Sequence, residues 1–339
     1  MNLVLFEDCD LLSPTELSLD GRRANHIYSV HRSEVGDTVK VGKINGAMGQ
    51  GVITQLKKNR VEVRFELDQS PPKKLPVKLI VALPRPKSLK KVLQALADAD
   101  PSNTPPAIAG NTNRVLRETL GIEDFYKEEK TANHNLALSF IGQLRELISE
   151  GPGKLEQSLK ISASGNVIDI IHGNDYDLWQ EVQNTINQEL IGGGLSAFRQ
   201  RLNEVPYLLY LADNVGETIF DKVFIETLDI PVVYAVKSGP ILNDAALEDA
   251  LAAGLDEVAE VVETGARTPG TILSQCSPEF RDLYDRSDLV LSKGQANYET
   301  LDEEGDKIFF LLRVKCPILS ANLEAPFGSL VFKQGKPLT

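Results

Sequence analysis

The sequence predicts an α/β protein: a helical subdomain and an α/β/α sandwich on a largely parallel sheet, preceded by a small β-barrel. Three observations carry this. Residues 1–84 hold short, often alternating runs rich in β-branched residues at Leu3–Phe6, Thr38–Val41, Gly51–Thr54, Val61–Phe65 and Val77–Ala82, with turn signals such as Asn45-Gly46 between them. Apolar residues then recur at helical spacing to about residue 203. From 206 onwards, strand-like runs near 206–212, 231–236, 258–262, 288–292, 308–313 and 329–332 alternate with helical patterns near 216–228, 244–253, 270–286, 296–303 and 315–323.

The 339 residues suffice for two domains, and 42% hydrophobic with 25% charged residues is ordinary for a soluble globular protein. No apolar run approaches the roughly 18–20 residues of a membrane span. The opening MNLVLFEDCD lacks the basic flank and apolar core of a signal peptide. Cys9, Cys276 and Cys316 are widely spaced and form no metal pattern, which suits a reducing cytoplasm. Charge is uneven. Met1–Gln94 carries 16 Lys and Arg against 10 Asp and Glu, a net of +6, and the remaining 20 basic and 38 acidic residues leave −18. Two modules with different partners are expected, the acidic one a poor surface for nucleic acid.

In the basic module, Gly21–Val30 reads as a short helix. Arg22, Arg23, Arg32, Lys57, Lys58, Arg60, Lys73 and Lys74 either contact RNA phosphates or form a solvated face. His26 and His31 have no Cys or paired carboxylate beside them and read as packing or surface residues. The stretches His26-Ile-Tyr-Ser-Val-His-Arg32, Val35-Gly-Asp-Thr-Val39, Val81-Ala-Leu-Pro-Arg-Pro-Lys87 and Lys90-Lys-Val-Leu-Gln94 resemble the start of the ribosomal RNA small-subunit methyltransferase E family. There a PUA-like barrel of RNA-binding type precedes a SPOUT methyltransferase domain. The glycine-rich S-adenosylmethionine loop of that second domain has no counterpart here. Gly192-Gly-Gly-Leu-Ser196 lacks its proline and glutamate. The resemblance implies RNA contact through the barrel, not methylation.

Lys87–Asp100 reads as a helix, punctuated by Pro101-Ser-Asn-Thr-Pro-Pro106 within a junction at 85–106. The helical subdomain at 107–203 is expected to hold Ile108–Leu120, Phe125–Ser149, Lys154–Ser162, Asp177–Glu189 and Leu195–Leu202. Within it, Asn166 and Asp169 stand three apart in a small, apolar stretch. They either aim two oxygens at one site from a shared helix face or form a cap with its partner.

The chemistry is expected in 204–339, centred on Pro206–Glu217, PYLLYLADNVGE. A continuous apolar run suits a strand buried on both faces, which puts Asp213 and Asn214 at its carboxyl end, where open α/β sheets bind ligands. The alternative is a turn with a helix N-cap. Further polar clusters follow the second strand, at Val236–Asp244, and the fourth, at Leu291–Glu299. Asp213, Asn214 and Asp244 offer two carboxylates and an amide, a set suited to magnesium or manganese rather than zinc. Lys293, beside Gly294, would supply a positive charge to a phosphate.

The motifs Ala212-Asp-Asn-Val-Gly-Glu217, Gly239-Pro-Ile-Leu-Asn-Asp244, Glu248-Asp-Ala250, Thr264-Gly265, Lys293-Gly-Gln-Ala-Asn-Tyr-Glu-Thr-Leu301 and Lys315-Cys316 resemble the damage-control phosphatases. Thr104-Pro-Pro106, Gly165-Asn-Val-Ile-Asp169 and Asp124-Phe-Tyr126 with Lys130 extend the resemblance over about 88–333, with Phe125 where that family prefers proline. The resemblance implies a Rossmann-like α/β/α sandwich and a cytoplasmic phosphomonoester hydrolase acting on sugar phosphates or related small metabolites. It also implies a divalent ion (magnesium, manganese, cobalt or nickel) on Asp213, Asn214 and Asp244. The reaction would rest on Asp213, Asp244 and Lys293, with Lys293, Asn166, Asp169, Glu217 and Asn297 near the substrate. Whether Asp213 or a water attacks phosphorus is left open, and Cys316 reads as packing. The family begins with a further helical segment, often bearing Cys-x-x-Cys, where this chain has its barrel. Two other readings stand beside this one: an RNA-binding protein with a non-catalytic C-terminal domain, and a methyltransferase remnant lacking its catalytic domain.

Overall fold

The computed structural model describes residues 3–20, 23–24, 27, 34–43, 46–57, 59–70, 103–148, 153–170 and 178–337, with all side chains among these except those of 167, 169, 170 and 178. Two compact units emerge, Met1–Ala82 and Leu83–Thr339.

The first unit is a six-stranded sheet in the order β1 (Leu3–Phe6), β4 (Thr38–Lys43), β5 (Met48–Lys57), β6 (Arg60–Gln69), β3 (Glu16–Asp20), β2 (Leu11–Ser13). β1 and β4 run parallel and the other pairs are antiparallel. Leu17 and Leu19 lie opposite Val63 and Val61, all four buried, so the two-residue period turns one face inward. Phe6 on β1 meets Phe65 on β6 at a ring-centroid distance of 4.8 Å. On a flat sheet these strands would stand about 14 Å apart. The sheet therefore curls round one core, as expected of a small barrel. β2 and β3 add to the expected strands; Leu17 and Leu19 alternate over too few positions to stand out from a loop. The expected strand Val77–Ala82, the helices Gly21–Val30 and Lys87–Asp100, and His26, His31, Arg22, Arg32, Lys58, Lys73 and Lys74 lie wholly or mostly outside the described residues.

In the second unit, α1 (Pro105–Leu120) opens with two prolines in its first turn and stops at Gly121, which adopts the left-handed conformation. It starts three residues before the expected Ile108 because a proline without an N–H costs nothing in that turn. The long helix expected over 125–149 breaks at Phe140 into α2 (Lys127–Ser139) and α3 (Ile141–Glu146). α4 (Lys154–Ser164), α5 (Leu178–Ile186) and α6 (Leu195–Leu202) complete the helical part.

The second sheet has the order β10 (Glu260–Glu263), β9 (Val232–Val236), β8 (Leu208–Leu211), β11 (Val290–Lys293), β12 (Ile308–Arg313), β13 (Leu330–Gln334), β7 (Leu190–Ile191). Its neighbours are parallel except β12 and β13. The two-residue β7 is too short to read from sequence. Between the strands run α7 (Thr218–Ile225), α8 (Leu247–Ala252), α9 (Pro278–Arg286), α10 (Gln295–Leu301) and α11 (Pro317–Leu323). The helix expected over 270–286 begins only at Pro278, where Ser277 Oγ accepts the Phe280 N–H as N-cap.

Alternation along buried strands makes both faces of this sheet apolar. Leu208 and Tyr210 pack with α4, α6 and α7 residues, whereas Leu209 and Leu211 pack with Phe280, Leu301 and Leu319 from α9, α10 and α11. The result is the expected α/β/α sandwich. From β8 the chain moves to β9 and β10 on one side, then returns to β11 on the other. The strand order therefore reverses between β8 and β11, and their carboxyl ends flank the resulting crevice. No helix among the described residues is long and apolar enough to cross a membrane.

Candidate functional site

Asp213 and Asn214 follow β8 at this switch point. Asn214 and Asp244 form an isolated antiparallel bridge, in which Val215 N–H donates to Asn243 O (2.9 Å) and Ala245 N–H to Asp213 O (2.8 Å). Directly opposed residues of an antiparallel pair share one side, so the backbone itself brings the Asn214 amide to the Asp244 carboxylate. A second bridge, Lys237 with Ala246, ties the same loop to the end of β9. At the end of β11, Gly294 has φ 80° and a Cβ there would overlap Asp213 Oδ2. The Asp213 carboxylate rests in a space that only glycine leaves open.

Asp244 Oδ2 is buried without a hydrogen-bond partner among the described residues. The Lys237 ammonium stands 3.8 Å away, an ion pair too long for a hydrogen bond, and donates to the Gly270 carbonyl. Burial pushes the Asp244 carboxyl up to about 6, against the pull of the Lys237 and Lys130 ammonium groups. Asn214 Nδ2 donates to Asp213 Oδ2 (3.2 Å) and to Glu217 Oε1 (3.1 Å), and Asn166 Nδ2 donates to the same Glu217 oxygen (2.7 Å). Because a carboxylate only accepts, both amides turn their nitrogens to Glu217 and their oxygens elsewhere. Asn166 Oδ1 is left buried without a partner among the described residues. Asp169 follows in the same 3-10 turn, Gly165–Ile170, its side chain outside the described set.

Lys293 and Asn297 depart from the expected substrate-facing positions. The Lys293 ammonium is buried and donates to Glu217 Oε2 (2.7 Å), Asp221 Oδ1 (2.8 Å) and Ser162 O (3.1 Å), which engages all three protons. Burial alone would lower its pKa, but the Asp221 and Glu217 carboxylates outweigh that and hold it above its ordinary value. Asn297 donates to Ala212 O (3.0 Å) and Lys293 O (2.8 Å) and accepts from Thr271 Oγ1 (2.8 Å), so it braces the ends of β8 and β11. Cys316 Sγ accepts the Leu319 N–H as cap of α11. A separate cavity of about 890 Å3, lined by Pro206, Tyr207 and Pro231, lies at the opposite, amino ends of β8 and β9 and contains none of these residues.

The sequence profile of the damage-control phosphatase ARMT1-like domain matches residues 54–331. This chain belongs to the ARMT1-like damage-control phosphatase family. Damage-control phosphatase PH1575 of Pyrococcus horikoshii is 35% identical over 241 residues, 69% of this chain and 83% of that one. An uncharacterized protein of Methanocaldococcus jannaschii is 33% identical over 259 residues, 72% of this chain and 84% of that one. The crystal structure of the P. horikoshii protein, a DUF89 family member, has a TM-score of 0.66 and 31% identity over 74% of this chain and 89% of that one. The profile of the RNA methyltransferase PUA domain matches residues 19–66, within the first unit.

The residues at the damage-control phosphatase switch point fit a divalent cation. Four buried carboxylates, Asp213, Glu217, Asp221 and Asp244, stand with the buried ammonium groups of Lys237, Lys293 and Lys130, the last of them shared with Asp249 and Asp124, so negative charge is in excess. Two orphaned oxygens, Asp244 Oδ2 and Asn166 Oδ1, add to the case. Among the described residues no three His, Cys, Asp or Glu side chains form a metal cluster, and the donors that fit are two carboxylates and an amide. Sequence reasoning missed Asp221, Lys237, Ser162, Tyr210 and Tyr234. The available signal was Asp221 itself, with Lys222, inside the otherwise apolar TIFDKVFI of α7, all eight residues of which are buried.

Proposed function

We propose that this chain is a divalent-metal-dependent phosphatase of phosphorylated sugars or related small metabolites. The observation that carries the reading is the Asn214–Asp244 bridge at the switch point, which puts Asn214, whose amide meets the Asp213 carboxylate, opposite Asp244, whose Oδ2 has no hydrogen-bond partner among the described residues. Asp213, Asn214 and Asp244 would hold the ion. When bound, such an ion polarises a phosphoryl group and neutralises charge developing on its oxygens. Lys237 offsets part of the Asp244 charge, and Gly294 keeps the Asp213 carboxylate at the tip of β8. Lys293 acts from behind, clamping Glu217, which turns the Asn214 and Asn166 amides. The relatives named damage-control phosphatases support the activity class. The first unit, with its basic segment and PUA profile match, is proposed to contact RNA.

The test is phosphate release from a panel of sugar phosphates with magnesium, manganese, cobalt or nickel, and with chelator. Release that disappears with chelator is expected. No release with any ion would refute the reading and favour an RNA-binding protein with a non-catalytic second unit.

A further inference from the structure

Asp221 is fully buried in α7, where an unpaired carboxylate would be costly. Its Oδ1 lies 2.6 Å from Tyr210 OH, 2.8 Å from Ser162 Oγ and 2.8 Å from Lys293 Nζ, and its Oδ2 accepts from Tyr234 OH at 2.8 Å. Tyr210 and Tyr234 are paired in register on β8 and β9, and their rings stack at 5.0 Å. Ser162 Oγ and Tyr210 OH also stand 2.9 Å apart, so two protons serve three short contacts. A carboxylate held from four sides by three strands and one helix cannot follow a moving partner. Lys293 can turn only about this fixed point, and its remaining protons hold Glu217 and the Ser162 carbonyl.

The consequence reaches the site through Glu217. With Oε2 held by Lys293, its Oε1 receives the amide nitrogens of Asn214 and Asn166. A weakened clamp would let Glu217 rotate, and either amide could then present nitrogen, a donor, where a cation needs an oxygen. We propose that Asp221 is a positioning residue that acts through Lys293 and Glu217 to set the Asn214 and Asn166 amide oxygens for a divalent cation on Asp213 and Asp244. The inference rests on the metal-dependent reading given above. It assigns the buried tyrosine pair a purpose beyond packing: Tyr210 and Tyr234 hold the anchor of the cation site.

The experiment measures Mn2+ affinity of the full chain by electron paramagnetic resonance of the unbound ion, with melting temperature recorded beside it. Asp221→Asn is expected to weaken Mn2+ binding by about tenfold or more, and Tyr234→Phe, which keeps the ring, by a smaller factor. A merely structural Asp221 would lower the melting temperature of Asp221→Asn and Tyr234→Phe and leave the Mn2+ affinity of the folded protein at its wild-type value. If Asp221→Asn does not fold, Tyr234→Phe decides by the same criterion. Wild-type affinity in folded Asp221→Asn, or in Tyr234→Phe where Asp221→Asn does not fold, would overturn the inference. Mn2+ binding that depends on Asp221 in a chain without phosphate release would uphold it and refute the phosphatase reading. No Mn2+ binding by the wild-type chain would overturn both.

Discussion

At the scale of single residues, the site depends on where charge is buried. Asp244 keeps its proton to about pH 6 in the cation-free fold, against an ordinary value of 3.8. Between these values the folded chain binds more protons than the unfolded one, so this carboxyl's contribution to stability declines as pH rises through the window. Cation binding needs the carboxylate, so Mn2+ affinity should climb from about pH 5 and level off above about pH 6. Calorimetry in buffers of different ionisation enthalpy would register the released proton below that plateau; a flat affinity profile with no proton release would contradict the assignment. Asp213→Ala should abolish chelator-sensitive phosphate release while the melting temperature stays near wild type, and retained turnover would remove Asp213 from the site. Gly294→Ala forces a side chain into φ 80° and onto the Asp213 carboxylate. A shift of about 1 Å at such a group costs roughly a hundredfold in rate, and that is the expected loss in kcat.

At the scale of elements, two tethers hold the site's surroundings. Lys130 on α2 pairs with Asp249 at 2.6 Å and with Asp124 at 3.6 Å. Asp249 in turn accepts the Ala246 N–H (2.9 Å) at the start of α8, directly after Asp244 and Ala245. Lys130→Met would leave two mostly buried carboxylates without their cation, a change expected to cost about 3 kcal/mol, visible as a lower urea midpoint. An unchanged midpoint would show that solvent reaches the pair. The second tether is Gly270, φ 67°, where a Cβ would overlap the Ala296 carbonyl oxygen of α10. Its own carbonyl takes the Lys237 ammonium, so Asp244 depends on how closely this loop approaches α10.

At the scale of the whole molecule, the chain divides near residue 82, and each unit encloses its own apolar cluster. A chain of residues 83–339 is therefore expected to unfold cooperatively and to keep metal-dependent phosphate release. Circular dichroism melts and the phosphate assay check this, and loss of both would mean that the first unit is needed for the fold of the second. The profile match beginning at residue 54, inside β5, overlaps the PUA match up to 66. The motifs themselves pointed to a start near 88.

Much of this architecture is legible in the sequence because buried strands and helices impose local periods. The six expected strands from 206 onwards correspond to β8 to β13, and the places of Asp213, Asn214 and Asp244 after buried strands are legible because polar residues after apolar runs mark strand ends. Tertiary structure decided what periodicity cannot encode. The position of Asp244 opposite Asn214 depends on a bridge across thirty residues of chain, and the engagement of Lys293 depends on Asp221, which shows in the sequence only as one acid in an apolar helix. A lysine at the end of a strand, with a glycine after it, reads as a free charge until the carboxylates that face it are known. Local pattern fixes which side chains reach a strand end. Which of them meet there, and which protons are already engaged, follows from long-range packing, because a hydrogen bond is set by distance in space and not by separation along the chain.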